Sequence, residues 1–128
     1  MSEFTHYMEN KIIDHILRNQ SYTPTAKVYL ALFTAAPDDD GGGTEVSGGS
    51  YARQEIALSA ASDGLSSNSA DITFPTATAN WGTITHCAIM DALTAGNMLM
   101  YSPLDASKAI DIGDTFKVST GDLDIAVD

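Results

Sequence analysis

The sequence has little positive charge and little means of covalent cross-linking. Its 128 residues carry six Lys and Arg against 17 Asp and Glu, a net charge of −11 at pH 7, and they include one cysteine. Such an acidic chain repels nucleic acid and anionic lipid at long range, and its six cations are scattered along the sequence. A lone cysteine excludes an intramolecular disulfide. We therefore expect no nucleic-acid or membrane partner, and stability from a packed core or from neighbouring subunits.

Long apolar runs are also lacking. No stretch approaches the roughly 18 consecutive apolar residues of a membrane span, and the opening MSEFTHYMENK lacks the basic start and apolar run of a signal peptide. The length suits one domain with a modest core. We expect a soluble protein that is made and kept without export.

One helical period is present, near the start of the chain. Met8, Ile12, Ile13, Ile16 and Leu17 recur at spacings of three and four among polar residues, which predicts an amphipathic helix from about Glu3 to Arg18. The apolar stripe, with Met8, Ile12 and Ile16, is expected to pack on the domain's own core or on another subunit. Both alternatives stay open at this point.

After this segment the pattern alternates, which is typical of strands. Residues 27–33 place Val28, Leu30 and Leu32 on one face and Tyr29, Ala31 and Phe33 on the other, as in a strand buried on both sides. Six further short runs are predicted strands: Ala52–Leu58, Asp71–Phe74, Thr83–Met90, Asn97–Tyr101, Thr115–Ser119 and Leu123–Val127. The expected core residues are Tyr29, Leu30, Phe33, Phe74, Trp81, Ile84, Ile89 and Phe116.

Short strands joined by turn residues favour a mainly β fold, an antiparallel β-sandwich of the jelly-roll or immunoglobulin kind with one N-terminal helix. We predict a helical segment over residues 1–20 and a single β-sandwich domain over residues 21–128, with a glycine-rich surface loop at about 36–50. Glycines in Asp111–Asp114 and Thr120–Asp122 predict two tight turns. The second turn is expected to join the last two strands into a hairpin.

Candidate chemical sites are weak. Asp38, Asp39 and Asp40 are consecutive, whereas a calcium loop places its ligands at alternate positions. The glycines of GGGTEVSGGSYARQEI precede a strand and lack the Gly-Lys-Ser/Thr ending of a phosphate loop. We therefore interpret this region as a solvated surface loop.

The remaining residues suggest no catalytic or metal centre. His86 and Cys87 are neighbours in a predicted strand and point to opposite faces, so they do not readily chelate one ion. No serine lies in a Gly-x-Ser-x-Gly elbow. We expect no enzymatic activity, no cofactor and no bound metal.

The glycine-rich loop is instead a candidate contact surface. Its two glycine clusters flank residues 44–47, including Glu45 and Val46, and are expected to let them adapt to a neighbour. Tyr51 and Arg53 lie two apart on the following strand, hence on one face. An aromatic ring beside a guanidinium favours an interface hot spot, with local packing as the alternative.

Four segments in this order carry a resemblance to known proteins: LFTAAP, GGTEVSGGSYARQ, ADITFPTATANWGTITHCAIMD and IDIGDTFKVSTGDLDI. Over nearly its whole length the chain resembles a group of small virion proteins of tailed bacteriophages, described as tail fibre or minor tail proteins. The resemblance implies a non-enzymatic, β-rich structural module that is assembled in multiple copies.

Several expectations about assembly follow from the resemblance and the charge. The partners are copies of the chain itself, with a trimer expected, and other virion proteins of the capsid, neck or tail. The location is the virion exterior, as part of a fibre or as a capsid decoration or cement protein, after assembly in the cytoplasm of the bacterial host. The alternative is a receptor-binding or glycan-binding β-sandwich.

Overall fold

A computed structural model describes residue 1 and residues 3–127. The described residues form one short helix, one π-helical turn and ten strands. The helix α1 is His6–Ile12, and the π-helical turn Ile13–Leu17 continues it. The strands are β1 Glu3–Phe4, β2 Val28–Ala35, β3 Thr44–Glu45, β4 Gln54–Ile56, β5 Leu65–Ser67, β6 Ile72–Thr73, β7 Gly82–Met90, β8 Met98–Ile110, β9 Lys117–Val118 and β10 Asp124–Ala126.

The strands form three antiparallel sheets. The large sheet has the order β1-β8-β7-β2-β3, and β4 pairs with β2 on the same side as β3. Two small sheets, β5 with β10 and β6 with β9, complete the structure. The prediction of a mainly β, antiparallel fold with one N-terminal helix is confirmed, and the layer opposite the large sheet consists of two separate ladders.

Strand β2 is buried on both faces, as its alternating pattern predicts. Leu30 and Leu32 belong to the main core, together with residues of the small sheets such as Ile72 and Ile125. Ala31 and Phe33, on the other face, belong to a second, smaller core with Ala88, Met90 and Met98. Of the eight expected core residues, only Tyr29 is half-buried rather than buried.

The helix is shorter than predicted. Thr5, which is buried, has an extended backbone and caps α1, because its Oγ1 accepts a hydrogen bond from the N–H of Met8 at 3.3 Å. The same Oγ1 donates to the carbonyl of Met98 at 2.6 Å. Glu3 and Phe4, predicted to be helical, instead form β1 beside Tyr101 and Met100.

The predicted C-terminal hairpin is wrong. The turn itself exists, since Asp122 donates its N–H to Ser119 at 3.0 Å, but β9 pairs with β6 and β10 pairs with β5. The buried Asn68 lies between the two strands and accepts the N–H of Leu123 on Oδ1 at 2.9 Å. Its amide also donates to Ser119 at 3.0 Å, so the two strands diverge after the turn.

The first and last described segments meet. The amino group of Met1 donates to the carbonyl of Asp124 at 2.7 Å, and Ala126 donates its N–H to the carbonyl of Met1 at 2.9 Å. These bonds anchor the N-terminal segment to the body of the protein.

In the part of the chain that the structure describes, the helical segment is too short and too polar to cross a membrane.

Candidate contact surfaces

Glu45, Tyr51 and Arg53, three predicted contact residues, form one hydrogen-bonded group. Arg53 donates from Nε to Glu45 Oε2 at 2.9 Å and from Nη2 to Oε1 at 2.8 Å, a two-point pairing. Tyr51 donates its hydroxyl to Oε2 at 2.7 Å and accepts the backbone N–H of Leu32 at 3.0 Å. The side chain of Arg53 is 9% exposed and that of Glu45 is 25% exposed, so the pair lies in partly desolvated surroundings.

The charges of this group reinforce one another. Burial acts to raise the pKa of Glu45, but the hydrogen bonds from Arg53 and Tyr51 outweigh it and hold that pKa below its ordinary value. Burial, and then the bond to Glu45, raises the pKa of Tyr51. The bond to Glu45 also raises the pKa of Arg53. At neutral pH the carboxylate and the guanidinium are therefore charged and the phenol keeps its proton.

Arg53 also holds a second loop. Its Nη1 donates to the carbonyls of Ala92 and Ala95, both at 2.8 Å. Asp91 closes that loop by accepting the N–H of Asn97 at 2.7 Å. Arg53 thus ties the segment around Glu45 to the connection between β7 and β8. The polar atoms of Arg53 and Glu45 therefore have hydrogen-bond partners within the protein. A role for this pair in an interface between subunits stays a prediction.

Val46 and the glycines have structural roles in the same region. Val46 is buried in the main core and donates its N–H to Leu32 at 3.0 Å. Gly43 has φ +77°, and a Cβ atom there would lie 2.8 Å from the carbonyl oxygen of Ala35. Backbone geometry therefore requires a glycine at this position. The exposed rim of the loop includes Thr44, Ser47 and Gly48.

The apolar stripe of the helical segment divides into two parts. Met8 and Ile12 are half-buried in α1, which contacts β8. Ile13, Ile16 and Leu17 are 50%, 68% and 77% exposed. Among the described elements, the π-helical turn contacts only α1. We call Ile13, Ile16 and Leu17 the helix tip.

The acidic loop holds the start of the helix. Asp39 accepts the backbone N–H of His6 at 2.8 Å, and the imidazole of His6 pairs with Asp40 at 3.0 Å. The hydrogen bond to Asp40 raises the pKa of His6. Tyr101 donates its hydroxyl to Asp39. An open cleft of about 420 Å³ lies here, and the Asp39 and Asp40 carboxylates on its wall are engaged with His6 and Tyr101.

Within residue 1 and residues 3–127, no group of three or more His, Cys, Asp or Glu side chains is placed to hold a metal ion. His86 and Cys87 point to opposite faces of β7. Cys87 is buried in the main core, and burial raises the pKa of its thiol to about 11. The imidazole of His86 bonds with the hydroxyl of Thr85 at 2.9 Å.

Two sets of hydrogen bonds that hold the fold together, those of Asn68 and of Arg53, could not be predicted from the sequence. Asn68 organises the divergence of β9 and β10 through contacts 51 and 55 residues away. The carbonyls that Arg53 binds are 39 and 42 residues away. Neither periodicity nor local spacing indicates pairings at such distances along the chain.

Comparison with known proteins identifies the family. A search of curated proteins gave no significant match. A family model described as podophage GP4 fiber I protein gp80 matches residues 3–126, nearly the entire chain. The matched range includes the helical segment, all three sheets and the Glu45 group described above. The chain therefore belongs to the podophage GP4 fiber I protein gp80 family, a family of phage virion structural proteins.

Proposed function

We propose that this protein is a non-enzymatic structural subunit of a podophage fibre, present in multiple copies on the exterior of the particle. The observation that carries the proposal is the family match over residues 3–126. The sequence comparison thus favours a fibre over the alternative of a capsid decoration or cement protein. Assembly would take place in the host cytoplasm, with other virion proteins as partners.

The use of the polar side chains supports a structural role. The strongest ion pair, between Arg53 and Glu45, holds two loops together. His6, Asp39 and Tyr101 hold the start of the helix. Each of these groups makes hydrogen bonds or ion pairs within the fold.

We further propose that the copies meet as a closed homo-oligomer, with three as the expected number. Closed cyclic symmetry is the common solution for identical subunits. The contacts would come from the helical segment with Met8, Ile12 and Ile16, and from the exposed rim of the glycine-rich loop. In the second region Glu45, Val46, Tyr51 and Arg53 would hold the rim in position. The net charge of −11 favours an exterior location over contact with packaged DNA.

The test begins with purified phage particles. We expect the chain in gradient-purified particles at a fixed number of copies, measured by quantitative mass spectrometry against the major capsid protein. A particle image with a specific antibody fragment bound should place it on a fibre. Absence of the chain from particles that remain infectious would overturn the proposal.

A second measurement separates the structural role from the alternative. The isolated protein is applied to a glycan array beside a denatured sample of the same protein. We expect no saccharide to be retained reproducibly. Specific retention by the folded sample alone would support the receptor-binding or glycan-binding alternative instead.

A further inference from the structure

The helix tip is an apolar surface that the chain itself leaves uncovered. Ile13, Ile16 and Leu17 follow one another at helical spacing, and at least half of each residue is exposed. Residues 15–21 are all exposed. Among the described elements, the π-helical turn contacts only α1. The tip therefore has no contact with any described strand and is accessible to a second molecule.

The charge of this segment differs from that of the rest of the chain. Over residues 6–18, Lys11 and Arg18 balance Glu9 and Asp14, so the net charge of −11 lies entirely outside the segment. Arg18 also pairs with Asp14 at 2.8 Å. Because the rest of the chain carries the whole net charge, a contact between copies elsewhere would on average bring acidic segments within the Debye length of roughly 8 to 10 Å. Two copies that meet through their helix tips avoid this repulsion.

We infer that the helix tip packs against the helix tips of the other copies around the symmetry axis of the closed homo-oligomer, and that this contact is its main self-association surface. The inference rests on the proposed function, because it assigns a surface to the proposed homo-oligomer. It also moves the proposed contact from Met8, Ile12 and Ile16 to the helix tip. Met8 and Ile12 are half-buried in α1, which contacts β8, whereas the more exposed Ile13, Ile16 and Leu17 would make most of the contact with the other copies.

The chain offers a matched control for this inference. Ile112 is 68% exposed, as Ile16 is, and lies far along the chain in the turn before β9. The full-length protein and its Ile16→Glu and Ile112→Glu variants are compared by sedimentation equilibrium over a wide range of concentrations. Both positions are exposed, so both variants should have melting temperatures close to that of the parent protein.

We expect the parent protein and Ile112→Glu to associate with equal affinity. Ile16→Glu should raise the dissociation constant roughly tenfold or more, because a carboxylate would be buried without a partner. A parent protein that stays monomeric at all concentrations would overturn the inference. Equal association by both variants would do the same.

A cysteine variant tests whether the helix tips of two copies lie against each other. Leu17→Cys places a thiol at the most exposed position of the tip, while the native Cys87 is buried. Under mild oxidation we expect a covalent dimer of Leu17→Cys and none of Ile112→Cys. Failure of the Leu17→Cys dimer in a sample that still associates would overturn symmetric packing of the tips. The particle measurements above are independent, so loss of this contact is distinguishable from failure of the fibre assignment.

Discussion

Trp81 donates its indole N–H to the carbonyl oxygen of Gly49 at 2.8 Å. This bond fixes the second glycine cluster above the main core, to which Trp81 belongs. Gly49 lies so close to the ring that a Cβ atom there would be 2.9 Å from Nε1. Its neighbour Gly48 has a similar left-handed backbone, with φ +75°, and open space around it.

The two glycines therefore form a matched pair for mutation. Gly48→Ala should cost about 1 kcal/mol, the penalty for a left-handed alanine. Gly49→Ala carries that penalty together with the overlap on Trp81, so it should cost about 1 to 3 kcal/mol more. Urea denaturation of both variants measures the difference. Equal midpoints would show that Trp81 moves aside freely.

Removal of Arg53 should destabilise the protein far more than removal of an exposed cation. Arg53→Ala leaves the partly buried carboxylate of Glu45 with Tyr51 as its donor but without a counter-charge, and removes the donor to two carbonyls. We expect a loss of about 2 to 4 kcal/mol. Lys27→Ala serves as the control, because the Lys27–Glu55 pair is more than half exposed at both ends. That change should cost no more than about 1 kcal/mol. The free energy of unfolding in urea gives both values, and comparable losses would contradict a dominant role for Arg53.

The same ion pair predicts a pH dependence. The pKa of Glu45 is lower in the folded state than its ordinary value of 4.5. Its contribution is thus present above pH 4.5 and is lost as the pH falls through the lower, folded value. Glu45→Gln should be less stable than the parent at pH 7, and the gap should narrow below about pH 4.5. Unfolding measured from pH 7 to pH 3 tests this, and a gap that stays constant would argue against the charged pair.

Asn68 should be the most sensitive asparagine in the chain. Asn68→Ala leaves the buried N–H of Leu123 unsatisfied, and we expect a loss of about 2 to 4 kcal/mol from that group and from the lost amide contacts. Asn97→Ala is the control, since Asn97 is exposed and its amide bonds with Asp91 at the surface. Hydrogen exchange at the Leu123 amide adds a local readout. Its rate should rise in Asn68→Ala relative to the neighbouring amides, and an unchanged rate would contradict the assigned bond.

Local patterns in the sequence predicted those strands whose side chains alternate between two packed faces. Strand β2 shows this best, because Leu30 and Ala31 are buried on opposite faces as the pattern requires. Strand β8 was predicted to end at Tyr101, yet it continues to Ile110. Pro103 in this stretch indicates a loop, but it lies at a register irregularity opposite His86, where sheets tolerate a proline.

Local patterns did not predict contacts between residues that are far apart in the sequence. The two residues of β1 are too few to show alternation, and only their pairing with β8 defines them. The hairpin prediction failed because Asn68, far back in the chain, occupies the hydrogen-bonding groups of Leu123. At the candidate contact surface, spacing placed Tyr51 and Arg53 on one face, while their shared partner Glu45 emerges only in three dimensions.

The pairing of Met1 with Asp124 and Ala126 sets an order for folding. A ribosome makes Met1 before its partner Asp124, which follows 123 residues later. Contacts of such large sequence separation form slowly, because the intervening chain must be ordered before they close. The helical segment therefore gains its contacts with β8 before the bonds of Met1 to β10 can close.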